Sequence, residues 1–368
     1  MTDRGAPAAS RGDSLLLRDY RPRTMLRTTY HEVFRPRFPA IDAHNHLGLS
    51  AFSGPWANRP PEELGGVLDQ AGVAGIVDLD GGHGDGLRKE LDRWQSALPG
   101  RVAVFGGLDY DSWAADVDFG SRGAAGLREG VAAGAVGLKV WKLLGLRARD
   151  PRGRLVPVDD ARLDPLWSTA GELGVPVTIH VADPIAFFEP LDRFNERWEE
   201  LRENSDWHFW PTRPRDAPEE DGFPPFDELI DGLEAVVARH PATAFIGAHV
   251  GCAAEDLARV SRILERCPNF NVDIGARLAE LGRQPYTARA FFLRWSDRIL
   301  FGTDTPPDRQ AYAIHYRFLE TCDESFDYGP DEVPGQGRWQ IHGLGLPDDV
   351  LERVYRSNAL RLIPTLRG

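Results

Sequence analysis

Short apolar runs alternate along this chain with longer amphipathic ones. The short runs are 40–47, 75–79, 102–108, 135–141, 175–181, 243–250, 270–274 and 298–303, each bounded by Gly, Pro or charged residues. They read as strands. Between them lie segments with helical spacing, among them 61–71, 86–97, 165–173, 226–240, 255–267 and 286–295, and a last one, 350–362, closes the chain. Strand–helix alternation implies βαβ units and a parallel sheet. Eight such units are the count of a (β/α)8 TIM barrel. A doubly wound sheet is the weaker alternative, because it usually has fewer strands.

Two connections break this rhythm. Residues 183–225 carry Phe187, Phe188, Phe194, Trp198, Trp207, Phe209, Trp210 and Phe223 among many prolines. Residues 323–346 are rich in Gly, Pro and acids. Long insertions of this kind after strands five and eight distort a barrel and belong on its C-terminal face, where such folds keep their sites. The aromatic insertion reads as an ordered cap over a pocket, with an oligomer contact as its alternative. One domain over 38–368 accounts for the pattern, preceded by a tail and an outer arm over 1–37.

Composition narrows the function. The 368 residues are 42% apolar and 27% charged, with a formal net charge of −13. An acidic chain of this kind argues against nucleic acid as a partner. The three cysteines, Cys252, Cys267 and Cys322, have no metal-like spacing and fit a reducing compartment. No run is apolar enough to span a bilayer, and the N-terminus lacks a signal-peptide core. The expectation is a cytoplasmic protein with a small-molecule substrate and no membrane partner, a homo-oligomer being left open.

The candidate chemistry starts at Asp42-Ala43-His44-Asn45-His46. Side chains two apart on a strand share a face. Two imidazoles on one face, with the Asp42 carboxylate beneath to orient them, can hold a divalent ion. Other polar residues fall at the ends of later strands: Lys139 on the fourth, His180 on the fifth, His249 on the sixth and Asp304 on the eighth. Burying so many without a common partner would be costly. A single ion makes them mutually consistent, with zinc the first choice and manganese, iron or cobalt open. Asp273 on the seventh strand reads either as support for the site or as a paired core acid. His240 and His315 read as helix-end and helix-surface residues, and His31 lies in the arm. Lys139, Lys142, Arg147 and Arg277 lie near the ends of strands four and seven and suggest an anionic substrate such as a carboxylate.

On these residues the chain resembles the amidohydrolase superfamily, in particular the amidohydrolase-related group that includes the aminocarboxymuconate-semialdehyde and resorcylate decarboxylases. The likeness runs from about Phe38 to Leu362. It implies a distorted TIM barrel with His44, His46, His180 and Asp304 as ligands of one metal ion. Asp304 is also the implied proton acceptor, and His249 the acid/base or substrate-polarising group. Lys139 stands where binuclear members carry a carboxylated lysine. In this mononuclear group it reads as a substrate contact, together with Trp141 and Arg277. The implied reaction is hydrolysis of an amide, ester or lactone through a metal-activated water. A decarboxylase with the same metal site is the alternative, and an inactive ligand-binding barrel is the alternative from another class.

Overall fold

The computed structural model describes residues 15, 16, 19, 20, 22, 23, 25–48, 54–213, 222–331 and 334–366. The N-terminal tail over 1–13 lies outside them. Eight strands follow in order: β1 (Ala40–Asn45), β2 (Val73–Asp78), β3 (Val102–Val104), β4 (Leu138–Val140), β5 (Val177–Ile179), β6 (Phe245–Gly247), β7 (Phe270–Asp273) and β8 (Ile299–Leu300). All neighbouring strands pair in parallel, as β1-β2-β3 and β4-β5-β6-β7-β8. Backbone hydrogen bonds cross both seams between these sheets. Val136 donates to Val104 and Lys139 to Gly106 on one side. On the other, Ala43 donates to Phe301 and Asp304 to His44. The architecture is the distorted (β/α)8 TIM barrel the pattern predicts.

Apart from β2, the strands are shorter than their apolar runs. Residues 301–303 continue the β8 run, but the chain already bends there toward the site. Gly302 makes this possible, since a Cβ on it would lie 2.9 Å from His44 Cβ.

The helices form where local chemistry dictates. Pro61–Ala71 opens on a proline with Glu62 and Glu63 in its first turn. It stops at Gly72, whose left-handed backbone (φ 74°) returns its N–H to the carbonyls of Leu68 and Asp69. Between β3 and β4 runs a helix the sequence analysis did not name, Phe119–Ala133. Its interior glycines blur the apolar stripe. The main core lies between strands and helices. A smaller cluster joins Ile41, Ala43, Val77, Phe105 and Leu300 to Ala359 of the C-terminal helix and to Ile363 just past its end.

Residues 323–346 do not follow β8 directly. The helix Arg309–Glu320 intervenes, and the segment then returns toward the strand ends. There His342 N donates to Gly282 O, and Gln336 donates to Ala276 O. In the aromatic insertion, Phe187 stacks on Trp207 and Phe188 packs on Phe209 and Phe226. It is tied down by the buried ion pair of Arg197 with Glu280 and by the more exposed pairs of Arg283 with Glu196 and Arg338 with Glu199.

One histidine expectation is corrected and one is met. His315 is buried rather than on a helix surface. Its Nδ1 donates to Ala311 O, and burial pushes its pKa down to about 4. His240 ends its helix as expected, but its partner is the Asp164 carboxylate at 3.0 Å.

Candidate metal centre

Four imidazoles and Asp304 meet at the C-terminal ends of β1, β5, β6 and β8. His44 and His46 come from β1 and the residue after it. The second ring nitrogen of each is held by a carboxylate. His44 Nδ1 is 2.8 Å from Asp273 Oδ2, and His46 Nδ1 is 2.8 Å from Asp80 Oδ1. A carboxylate facing Nδ1 accepts its proton, which leaves Nε2 with the lone pair a metal needs. Both Nε2 atoms face Asp304 Oδ1, at 3.7 Å from His44 and 3.2 Å from His46.

His249 follows the same logic by another route. Its Nδ1 lies 2.8 Å from Gly275 O. A carbonyl only accepts, so Nδ1 carries the proton and Nε2 is bare. That Nε2 lies 3.8 Å from Asp304 Oδ2. Burial, then the charge of Arg277, holds the His249 pKa well below the ordinary value, so the ring is neutral. His180 differs. Its Nε2 faces Asp183 Oδ1 at 3.3 Å, and Asp183 is clasped in turn by Lys142. Its ring packs edge-on against His249 at 4.4 Å. Burial lowers its pKa to about 4. The neutral ring therefore gives its Nε2 proton to Asp183. Of the ligands expected from the sequence, His44, His46 and Asp304 converge, and His180 stands beside them with Nε2 engaged. Among the described residues, ligand atoms of His44, His249 and Asp304 lie within 4.8 Å of one another.

The backbone here is strained. His249, Val250, Ala276 and Asp304 all have left-handed φ, at 58°, 60°, 53° and 52°. For non-glycine residues this costs about 1–2 kcal/mol each, most for β-branched Val250. The surroundings enforce it. His249 N donates to Asp273 Oδ1 and Asp304 N to His44 O. A Cβ on Gly275 would lie 3.1 Å from Asp304 Cβ and 3.2 Å from the His44 ring. Strain of this kind gathers where function requires a fixed geometry.

Charge follows from this packing. Burial would raise the Asp304 carboxyl, but His44, His46 and Lys139 outweigh it and hold it below the usual range. Burial would lower His46, yet Asp304 and Asp80 raise it to about 9, so an ion taken up there must displace the Nε2 proton. Lys139 on β4 is fully buried and its Nζ has no hydrogen-bond partner. Burial lowers its pKa against the pull of Asp304 and Asp273. Its ammonium sits 5.1 Å from the Trp141 ring, and Trp141 stacks on His46 at 5.0 Å. Arg277 is buried at the β7 end and donates to Ala276 O. Lys142 is committed to Asp183, and Arg147 to Asp206 O in the aromatic insertion.

The expected orienting role of Asp42 is corrected. Its carboxylate reaches only the backbone N–H of His44. It accepts from Thr303 N and Oγ1, Asn45 and Tyr312 OH, which locks β1 to the segment after β8. The carboxylates that orient the imidazoles are Asp273 and Asp80. Asp80 was missed by the sequence reading. The signal available for it was an acid two residues past the Asp78 that ends β2, on the strand paired to β1.

The donor set fits a divalent ion. His44 Nε2 is buried with no hydrogen-bond partner and faces an ionised carboxylate across 3.7 Å. Such a lone pair is costly to leave unmet and is the donor that a borderline metal takes.

A family model described as amidohydrolase matches residues 41–365. Among solved structures, a 2,6-dihydroxybenzoate decarboxylase in complex with 2,6-dihydroxybenzoate is 16% identical. It matches 89% of this chain and 99% of its own, with a TM-score of 0.53. An amidohydrolase from Burkholderia multivorans is 15% identical over 88% of this chain and 99% of its own. Its TM-score is 0.50 both with zinc bound and with HEPES bound. At these identities the structural likeness shows the fold. A search of curated proteins finds no match.

Proposed function

Because this chain belongs to the amidohydrolase family, we propose that it is a metal-dependent hydrolase. Its substrate would be a small amide, ester or lactone bearing a carboxylate. His44, His46 and Asp304 would hold one divalent ion, with zinc the first choice, and His180 would join them once its Nε2 leaves Asp183. An ion bound there supplies Lewis acidity, polarising a carbonyl and bringing the pKa of water down to about 7.

The observation that carries this reading is the state of Asp304. It is an ionised carboxylate held rigidly in a left-handed turn, with its second oxygen 3.8 Å from the bare Nε2 of His249. A base in that place can take the proton of an attacking water and return it to the leaving group. His249 Nε2 can hold the water by accepting its second proton. Lys139 and Arg277 would bind the substrate carboxylate, and Trp141 would form a flat wall beside it. The aromatic insertion would close over the pocket and exclude water.

The test is turnover in ¹⁸O-labelled water, over a panel of carboxylated amides, esters and lactones. Hydrolysis must place label in the product, because solvent is the nucleophile. Label-free product with stoichiometric carbon dioxide would replace this reading with decarboxylation at the same site. A purified protein that binds no metal would leave only a ligand-binding barrel.

A further inference from the structure

The extended segment before β1 is the part of the chain that the barrel does not use. Residues 25–36 carry no helix or strand, and polar contacts pin them along one edge. Thr28 Oγ1 donates to Glu324 O, His31 N and Nδ1 donate to Asp323, and Arg37 N donates to Glu320. Several large apolar side chains of this arm stay exposed, although Tyr30 also stacks under Arg317, the partner of Asp323. Met25 is 88% exposed and Tyr30 66%, and Leu15 and Leu16 are half exposed. A pinned row of exposed apolar side chains marks a contact surface.

Charge indicates what covers it. Residues 14–37 hold six arginines against two acids, on a chain whose net charge is −13. The complementary surface lies in the aromatic insertion. Residues 189–206 hold seven acids against three arginines. Phe194 is 78% exposed there, and Trp198 and Trp210 are also exposed. Basic apolar and acidic aromatic surfaces suit each other through ion pairs and arginine stacking on rings. Both surfaces flank the same connection after Arg309–Glu320. The arm is anchored to it at Asp323 and Glu324, and the insertion through Glu199 and Arg338.

We propose that the arm of one chain docks on the Phe194–Trp198–Trp210 face of a second copy, and reciprocally, to form an arm-exchanged dimer. Light scattering on the full chain should then give twice the chain mass at micromolar concentration. Met25→Asp should weaken association at least about tenfold, and so should Phe194→Asp. These side chains are exposed, so circular dichroism and melting should stay those of the wild type. A second measurement does not depend on substitution for its logic. A photo-cross-linking residue at position 25, in a mixture of ¹⁴N- and ¹⁵N-labelled chains, should give cross-links that pair the two isotopes and map to 189–210. A monomer at all concentrations overturns the proposal. So does a dimer indifferent to both variants, or cross-links confined to one isotope.

Discussion

His249 Nε2 stands 3.8 Å from Asp304 Oδ2, and both residues are in left-handed backbone, at φ 58° and 52°. The chain accepts strain at two strand ends to bring one imidazole lone pair to one carboxylate. Asp304→Asn keeps that shape, because Asn tolerates the left-handed region nearly as well as Asp. It cannot take up a proton as the carboxylate does. The expected outcome is a folded protein with its metal largely retained and kcat lower by about 10² or more. Metal analysis and steady-state kinetics on one preparation check it. Undiminished kcat would remove Asp304 as the base.

The ligand set is open to a direct comparison. His180→Ala and His249→Ala remove two rings that pack against each other at 4.4 Å. If His180 leaves Asp183 to bind the ion, its variant loses most of the metal, while His249→Ala keeps metal and loses activity. Elemental analysis showing the reverse order would make His249 the third nitrogen ligand.

Asp80 and Asp273 act on the ion through His46 and His44. Asp80→Asn and Asp273→Asn retain the size but replace a charge-assisted hydrogen bond with a weaker one. Metal affinity should fall by about 10- to 100-fold in each, measured by competition with a chromophoric chelator. Asp42→Asn should instead lower the melting temperature, because Asp42 ties β1 to Thr303 and Tyr312 and touches no imidazole nitrogen.

Asp78 gives a pH signature. Burial, then Asp80 and Glu90, raises its carboxyl from 3.8 to about 8, and its Oδ2 has no hydrogen-bond partner. Between those two pH values the folded state holds a proton that the unfolded chain lacks. Stability from this group therefore falls as pH rises from about 4 to about 8 and is constant above that. Asp78→Asn should flatten the difference. Melting temperatures of both proteins across that range, subtracted from each other, measure it. A pH-independent difference would mean that Asp78 is ionised throughout.

Trp207 stacks on Phe187 and lies 5.5 Å from the ammonium of Lys142, which in turn clasps Asp183 beside His180. If this insertion closes the pocket, Trp207→Ala should raise KM or lower kcat while metal content stays unchanged. Unchanged kinetics would leave the segment no part in the site.

Much of this molecule is legible without coordinates. A strand reverses its side chains at every residue, so His44 and His46 had to share a face, and Asp42, His180, His249 and Asp304 announced themselves by ending apolar runs. The eight-fold alternation of short and long runs determined the barrel for the same reason, since period and length are local properties. Local pattern says nothing, however, about which acid meets which imidazole. His44 and Asp273 are 229 residues apart and meet because the barrel closes. Asp80, Asp183 and the left-handed turns at His249 and Asp304 belong to the same class. His315 was misplaced because it lies on the buried face of its helix with Tyr312, Tyr316 and Leu319, and a polar side chain in the pattern does not announce that. Partner choice and strain were decided by tertiary structure, because they depend on distances that only the closed strands create.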